Sequence, residues 1–255
     1  MDEGTAASFD AITAAVEGIT AAQHAAEPVH PLFRTRYPVA VAIEGQLLIF
    51  EHNEKAQSYK FVTTTAAPIP LPANVAAAFS LEAYGGRIAC VVGTEGLGSR
   101  GWYVKVLHEF VHCYQFETCE PELKRPLTIN RADDPMWEIA YPFPYNQLSF
   151  VQSFKEYVGA LSERNDNAPA YRQRVLAVLA HPDREYMIWQ EWKEGYARLV
   201  ENRLRRLWNL AENHAGAAPP FSRVSFYESG SLYIAYQNGG DLPRDLVALF
   251  ESLKH

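Results

Sequence analysis

Residues 107–114 read Leu-His-Glu-Phe-Val-His-Cys-Tyr, and no other stretch limits the fold as tightly. On a helix of about 3.6 residues per turn, His108 and His112 stand one turn apart on the same face. Both imidazoles can then reach a single zinc ion. Glu109 lies beside the first histidine and can reach a metal-activated water without itself being a ligand. The spacing has a mechanical purpose: two nitrogens hold a Lewis acid and one carboxylate takes a proton. The neighbours Val104, Val106, Leu107, Phe110, Val111 and Cys113 are uncharged and helix-compatible. They predict a buried helix whose polar triplet faces a cleft. Two histidines and a glutamate buried there without a metal would carry a heavy desolvation cost. The competing reading is a metal-free helix whose histidines are satisfied by hydrogen bonds.

The chain around this helix divides by pattern. Asp10 to Gln23 has helical apolar spacing, and the prolines at 28, 31 and 38 end helical structure. Val39 to Glu51 reads as strand, turn at Glu44-Gly45, strand, and Tyr59 to Thr64 as a further strand. Pro68, Pro70 and Pro72 mark an extended connection. Arg87 to Val92 is a short apolar strand, followed by a glycine loop and then the motif helix, Trp102 to Glu117. Beyond an aromatic, proline-rich loop from Pro135 to Pro144, the pattern turns helical. Helices are expected over 147–164, 168–179, 183–213, 229–237 and 243–253. The expected class is α+β, zincin-like, with an N-terminal mixed or antiparallel sheet packed on the motif helix. Residues 1–120 would form the strand-rich lobe. Residues 121–255 would form a helical lobe supplying the third zinc ligand, the two making one compact catalytic unit.

A catalytic zinc site usually takes three protein ligands and leaves the fourth position for water. The metzincin pattern needs a histidine six residues after His112, where the chain has Thr118. Families with a glutamate 19 or 20 residues past the motif would place it at Arg131 or Ala132. A better candidate lies in Trp189-Gln190-Glu191-Trp192-Lys193-Glu194-Gly195-Tyr196-Ala197. Here the chain resembles the gluzincin peptidases, many of which pair the histidine motif with a distant Glu-Gly-x-Ala helix. The resemblance implies that Glu194 is the third ligand, with Glu191 and Glu201 as rivals on the same face. Small residues at Gly195 and Ala197 would let that helix approach the His108–His112 helix closely. The resemblance also implies a tyrosine that stabilises the oxyanion. Tyr227, in Tyr-Glu-Ser-Gly, is the candidate and Tyr233 the runner-up. In zincins an edge strand before the motif helix often pairs with an extended peptide. Arg87 to Val92 is either that edge or a fully paired core strand.

Composition removes other classes. A net charge of −7, with no dense basic stripe, argues against a nucleic-acid partner. No segment has the unbroken apolar length of a membrane span, and Met1 to Ala26 lacks the pattern of a secretory signal. Three cysteines, Cys90, Cys113 and Cys119, fit structural thiols in a reducing, cytoplasmic setting. No glycine fingerprint for a nucleotide is present. The expectation is one zinc ion per chain acting on a peptide or protein substrate, with Glu109 as general base. The alternatives are a zincin-like scaffold that binds a peptide or partner with little activity, and a zinc hydrolase of another amide or ester.

Overall fold

Glu44 and Gly45 both take positive φ, 48° and 77°. That pair makes the turn whose twist matches antiparallel strands, joining β1 (Val39–Ile43) to β2 (Gln46–Asn53). A computed structural model describes residues 7–131, 134 and 136–255. The first six residues of the N-terminal segment, Ala132, and Pro135 at the head of the aromatic segment lie outside the described residues. The chain is an α+β fold divided into two compact units, residues 1–117 with 203–210, and 118–202 with 211–255. No helix among the described residues is long and apolar enough to cross a membrane.

The first unit is built on a five-stranded mixed sheet in the order β3-β2-β1-β5-β4. Its other strands are β3 (Ser58–Ala66), β4 (Ala76–Leu81) and β5 (Arg87–Val92). β5 runs parallel to β1 and antiparallel to β4. β5 is therefore paired on both sides, which decides between its two sequence readings in favour of the fully paired core strand. The edge on that side is β4, an alanine-rich strand without a strong strand signal of its own.

One face of the sheet buries Ala40, Ala42, Leu47, Ile49, Ala89 and Val91. Leu71 and Val75, from the proline-rich connection, pack against them. α3 (Arg100–Thr118) carries the motif. Ser99 Oγ accepts the Trp102 backbone N–H, starting the helix with a serine cap. The Cys90 thiol on β5 reaches the Val106 carbonyl at 3.8 Å, and Tyr37 meets Phe110 edge to face. The expected packing of sheet on motif helix is therefore present.

The N-terminal helix is two pieces, α1 (Phe9–Glu17) and α2 (Ile19–Ala26). They meet at Gly18, where an added Cβ would fall 2.2 Å from the Tyr103 hydroxyl. That hydroxyl donates to the Ala15 carbonyl at 3.0 Å, so the break fastens these helices to α3.

The second unit is helical. It begins with two short helices, α4 (Glu120–Lys124) and α5 (Trp137–Ala140), the latter inside the segment expected to be loop. α6 (Leu148–Ser162) and α7 (Ala168–Val178) follow close to their expected bounds. α8 (His181–Gln190) continues through one π-helical turn, Glu191–Gly195, into α9 (Tyr196–Leu207). The helix expected to run to Asn213 stops earlier. Asn209 takes φ 54°, and Leu210 N–H returns to the Arg205 carbonyl at 2.8 Å. This is the left-handed cap that ends many helices. α10 (Arg223–Gln237) starts six residues before the expected Ser229, at a reciprocal cap between Ser222 and Ser225. α11 (Leu246–Leu253) packs its Phe250 against Trp192 and Trp189.

Candidate metal centre

On α3 the two motif histidines turn their rings together, with Nε2 of His108 and Nε2 of His112 3.2 Å apart. His112 Nδ1 lies 2.9 Å from Gln115 Oε1. That oxygen can only accept, so the proton sits on Nδ1 and Nε2 keeps its lone pair for a metal. Gln115 is fully buried and stands one turn after His112, a spacing that could have flagged it from the sequence. Glu109 is buried at 5% exposure. Burial raises the Cys90 thiol pKa well above its usual value, with smaller contributions from Cys113 and Glu109. All three cysteines are buried and lie outside any disulfide.

Glu194 lies in the π turn. Such single turns insert one extra residue into a helix and so re-aim the side chains around it. One ligand atom each from His108, His112 and Glu194 lies within 4.8 Å of the others, a group that could hold a metal ion. His108 is half-buried, and His112 and Glu194 are buried. Two nitrogens and a carboxylate oxygen fit a borderline divalent cation, so the donor set suits a metal.

The rivals of Glu194 are engaged elsewhere. Glu191 is fully buried and accepts from Arg172 Nη2 at 2.8 Å, Ser229 Oγ at 2.8 Å and the Tyr157 hydroxyl at 3.4 Å. Burial opposes the Arg172 charge, but Glu191, Tyr157 and Tyr233 together outweigh it and raise the guanidinium pKa. Glu201 accepts from Asn213 Nδ2 at 3.1 Å and lies 3.4 Å from Arg198 Nε. Lys193, beside Glu194, is held between Glu120 at 2.9 Å and Glu138 at 3.0 Å.

Tyr227 is half-buried on α10, with the guanidinium of Arg223 5.2 Å and that of Arg198 5.6 Å from its ring centroid. Tyr233 is buried beneath the Arg172 guanidinium, which makes it a packing residue. Sequence reasoning missed Arg223, whose Nη1 donates to Glu194 Oε1 at 3.2 Å. It precedes Tyr227 by one helical turn, a signal hidden while the helix was expected to begin at Ser229. His214 has a fixed partner that its sequence context did not suggest. Its Nδ1 sits 2.8 Å from Glu228, whose carboxyl pKa burial raises and His214 pulls back.

The close approach expected of Gly195 toward the His108–His112 helix is made to α10 instead, where the π turn and α10 touch backbone to backbone. A Cβ at Gly195 would lie 2.6 Å from the Gly230 Cα, and one at Gly230 would lie 2.5 Å from the Glu191 carbonyl oxygen. Neither neighbour is a flexible side chain, so Gly230→Ala must push the two segments apart. The expected cost is about 1–3 kcal/mol, the range for overpacking a tight interior. Urea unfolding of the variant measures it, and an unchanged midpoint would contradict the contact.

No family model matches the chain, and neither does any curated protein or solved structure.

Proposed function

We propose that this chain is a zinc-dependent peptide hydrolase of gluzincin type on a zincin-like fold, holding one zinc ion with His108, His112 and Glu194. The supporting observation is the histidine separation. Two nitrogens bound tetrahedrally at about 2.0–2.1 Å from one zinc lie about 3.3 Å apart. The two Nε2 atoms already lie 3.2 Å apart. Zinc bound there supplies a Lewis acid that lowers the pKa of water and polarises a carbonyl.

The chain's own residues do the rest. Gln115 fixes the tautomer of His112. Glu109 accepts a proton from the attacking water at its carboxylate and returns it to the leaving amine. The Tyr227 hydroxyl donates to the developing oxyanion. Three buried thiols outside any disulfide support a cytoplasmic setting.

Metal analysis of protein purified without chelator tests the reading, paired with chelator-controlled digestion of casein and a peptide library. About one zinc per chain is expected in the parent, with strong loss in His112→Ala and in Glu194→Ala. No metal in the parent after zinc is supplied would sink the proposal. Sustained inactivity with zinc in place would instead favour the binding scaffold.

A further inference from the structure

We infer that Arg223 is a positioning residue that holds Glu194 by one carboxylate oxygen and presents the other to the metal. The inference rests on the reading of Glu194 as a zinc ligand. Glu194 is a long side chain on an irregular turn, and a carboxylate left to rotate there would present either oxygen, or both. Arg223 Nη1 engages Oε1 at 3.2 Å, and the Glu194 side chain is only 11% exposed. One oxygen is therefore tied down in a confined space.

The donor is itself anchored. The Arg223 guanidinium lies 5.2 Å from the Tyr227 ring centroid, one turn further along α10, which restricts where the planar fork can point. The α10 backbone is in turn fixed against the π turn by the contact of Gly195 with Gly230. Donor and acceptor therefore stand on two backbones that meet directly, and the hydrogen bond spans a short, rigid path. This gives the Gly-Gly contact a use beyond packing. It also puts the candidate oxyanion residue and the candidate ligand on one guanidinium.

The physical rival is competition, in which Arg223 neutralises Glu194 and the metal has to displace it. The two cases predict opposite signs. If Arg223 positions the ligand, removing it weakens zinc binding; if it competes, removing it strengthens binding.

The test is competition between the full-length protein and a chromophoric zinc chelator for the parent, Arg223→Met, Arg223→Lys and Glu194→Ala. The thermal midpoint of each metal-free protein is measured alongside. Partners that orient metal ligands are typically worth about 10–100-fold in affinity. Arg223→Met is expected to weaken zinc binding by that factor, with a metal-free midpoint close to the parent's. Arg223→Lys keeps the charge without the stacked fork and should recover part of the loss. Zinc binding in Arg223→Met equal to or tighter than the parent's, while Glu194→Ala loses zinc, would overturn this inference and leave the zinc reading intact. A parent that binds no zinc would overturn both. If Arg223→Met does not fold, Arg223→Lys decides: affinity several-fold below the parent's supports the role, and parental affinity refutes it.

Discussion

Glu109→Gln is expected to bind zinc like the parent and to lose hydrolysis by at least about 100-fold, toward the 10⁴-fold upper range for a positioned general base. Glu109 is not among the three residues whose ligand atoms gather, so removing its charge leaves the metal's donors in place. Glutamine keeps the side-chain length and the helix propensity, and at 5% exposure the site has little room for anything larger. What the amide lacks is the ability to take a proton and return it. Zinc content and kcat/KM on a cleavable peptide, measured on one preparation, separate the two roles. Near-parental turnover would remove Glu109 from the chemistry. Zinc loss together with turnover would make it a ligand or a residue needed to hold the ligands.

The part of this site legible in the sequence is the part that is local. The spacing of His108 and His112 fixes their common face on any helix, and the helix observed, Arg100–Thr118, includes every residue of the expected one. The Glu44-Gly45 turn and β1 and β2 were legible for the same reason, since turn chemistry and apolar alternation act within a few residues. Glu194 came from the resemblance, and no local rule predicts the π turn that carries it. Arg223 was hidden because α10 begins at a cap built from Ser222 and Ser225 rather than from the serine–glutamate signature. β4 was hidden because Ala76, Ala77 and Ala78 are poor strand formers, and the strand exists through its pairing with β5. The fate of Glu191 was equally illegible. Its three-residue offset from Glu194 makes it look like a rival ligand, and only the tertiary arrival of Arg172, Ser229 and Tyr157 shows it to be an anchor.

That anchor yields the largest stability effect expected of a single substitution. Arg172 and Glu191 are both fully buried, and Arg172→Met would leave the Glu191 carboxylate in the interior with only Ser229 and Tyr157 as donors. Breaking a buried pair from one side typically costs about 3–5 kcal/mol, because the remaining charge is left without its counter-ion. For a chain of this size, about 2–4 °C per kcal/mol gives a thermal midpoint lower by roughly 10 °C. Arg172→Met/Glu191→Leu should recover much of the loss, because it removes both buried charges. It also removes Arg172 Nη1, which is buried with no hydrogen-bond partner among the described residues. The effect should extend to the metal, because Glu191 opens the π turn that holds Glu194 and is the residue whose carbonyl and Cα abut Gly230. Arg172→Met is therefore expected to weaken zinc binding even in the folded fraction, although Arg172 is no ligand. The double variant should restore stability more fully than affinity, because a leucine side chain in place of the carboxylate fills space without tying the turn to Ser229. Denaturant unfolding and chelator competition on the same three proteins provide the comparison. A single variant as stable as the parent would show that the pair contributes nothing, and stability lost without any change in affinity would show that the turn is held by the Gly195–Gly230 contact alone.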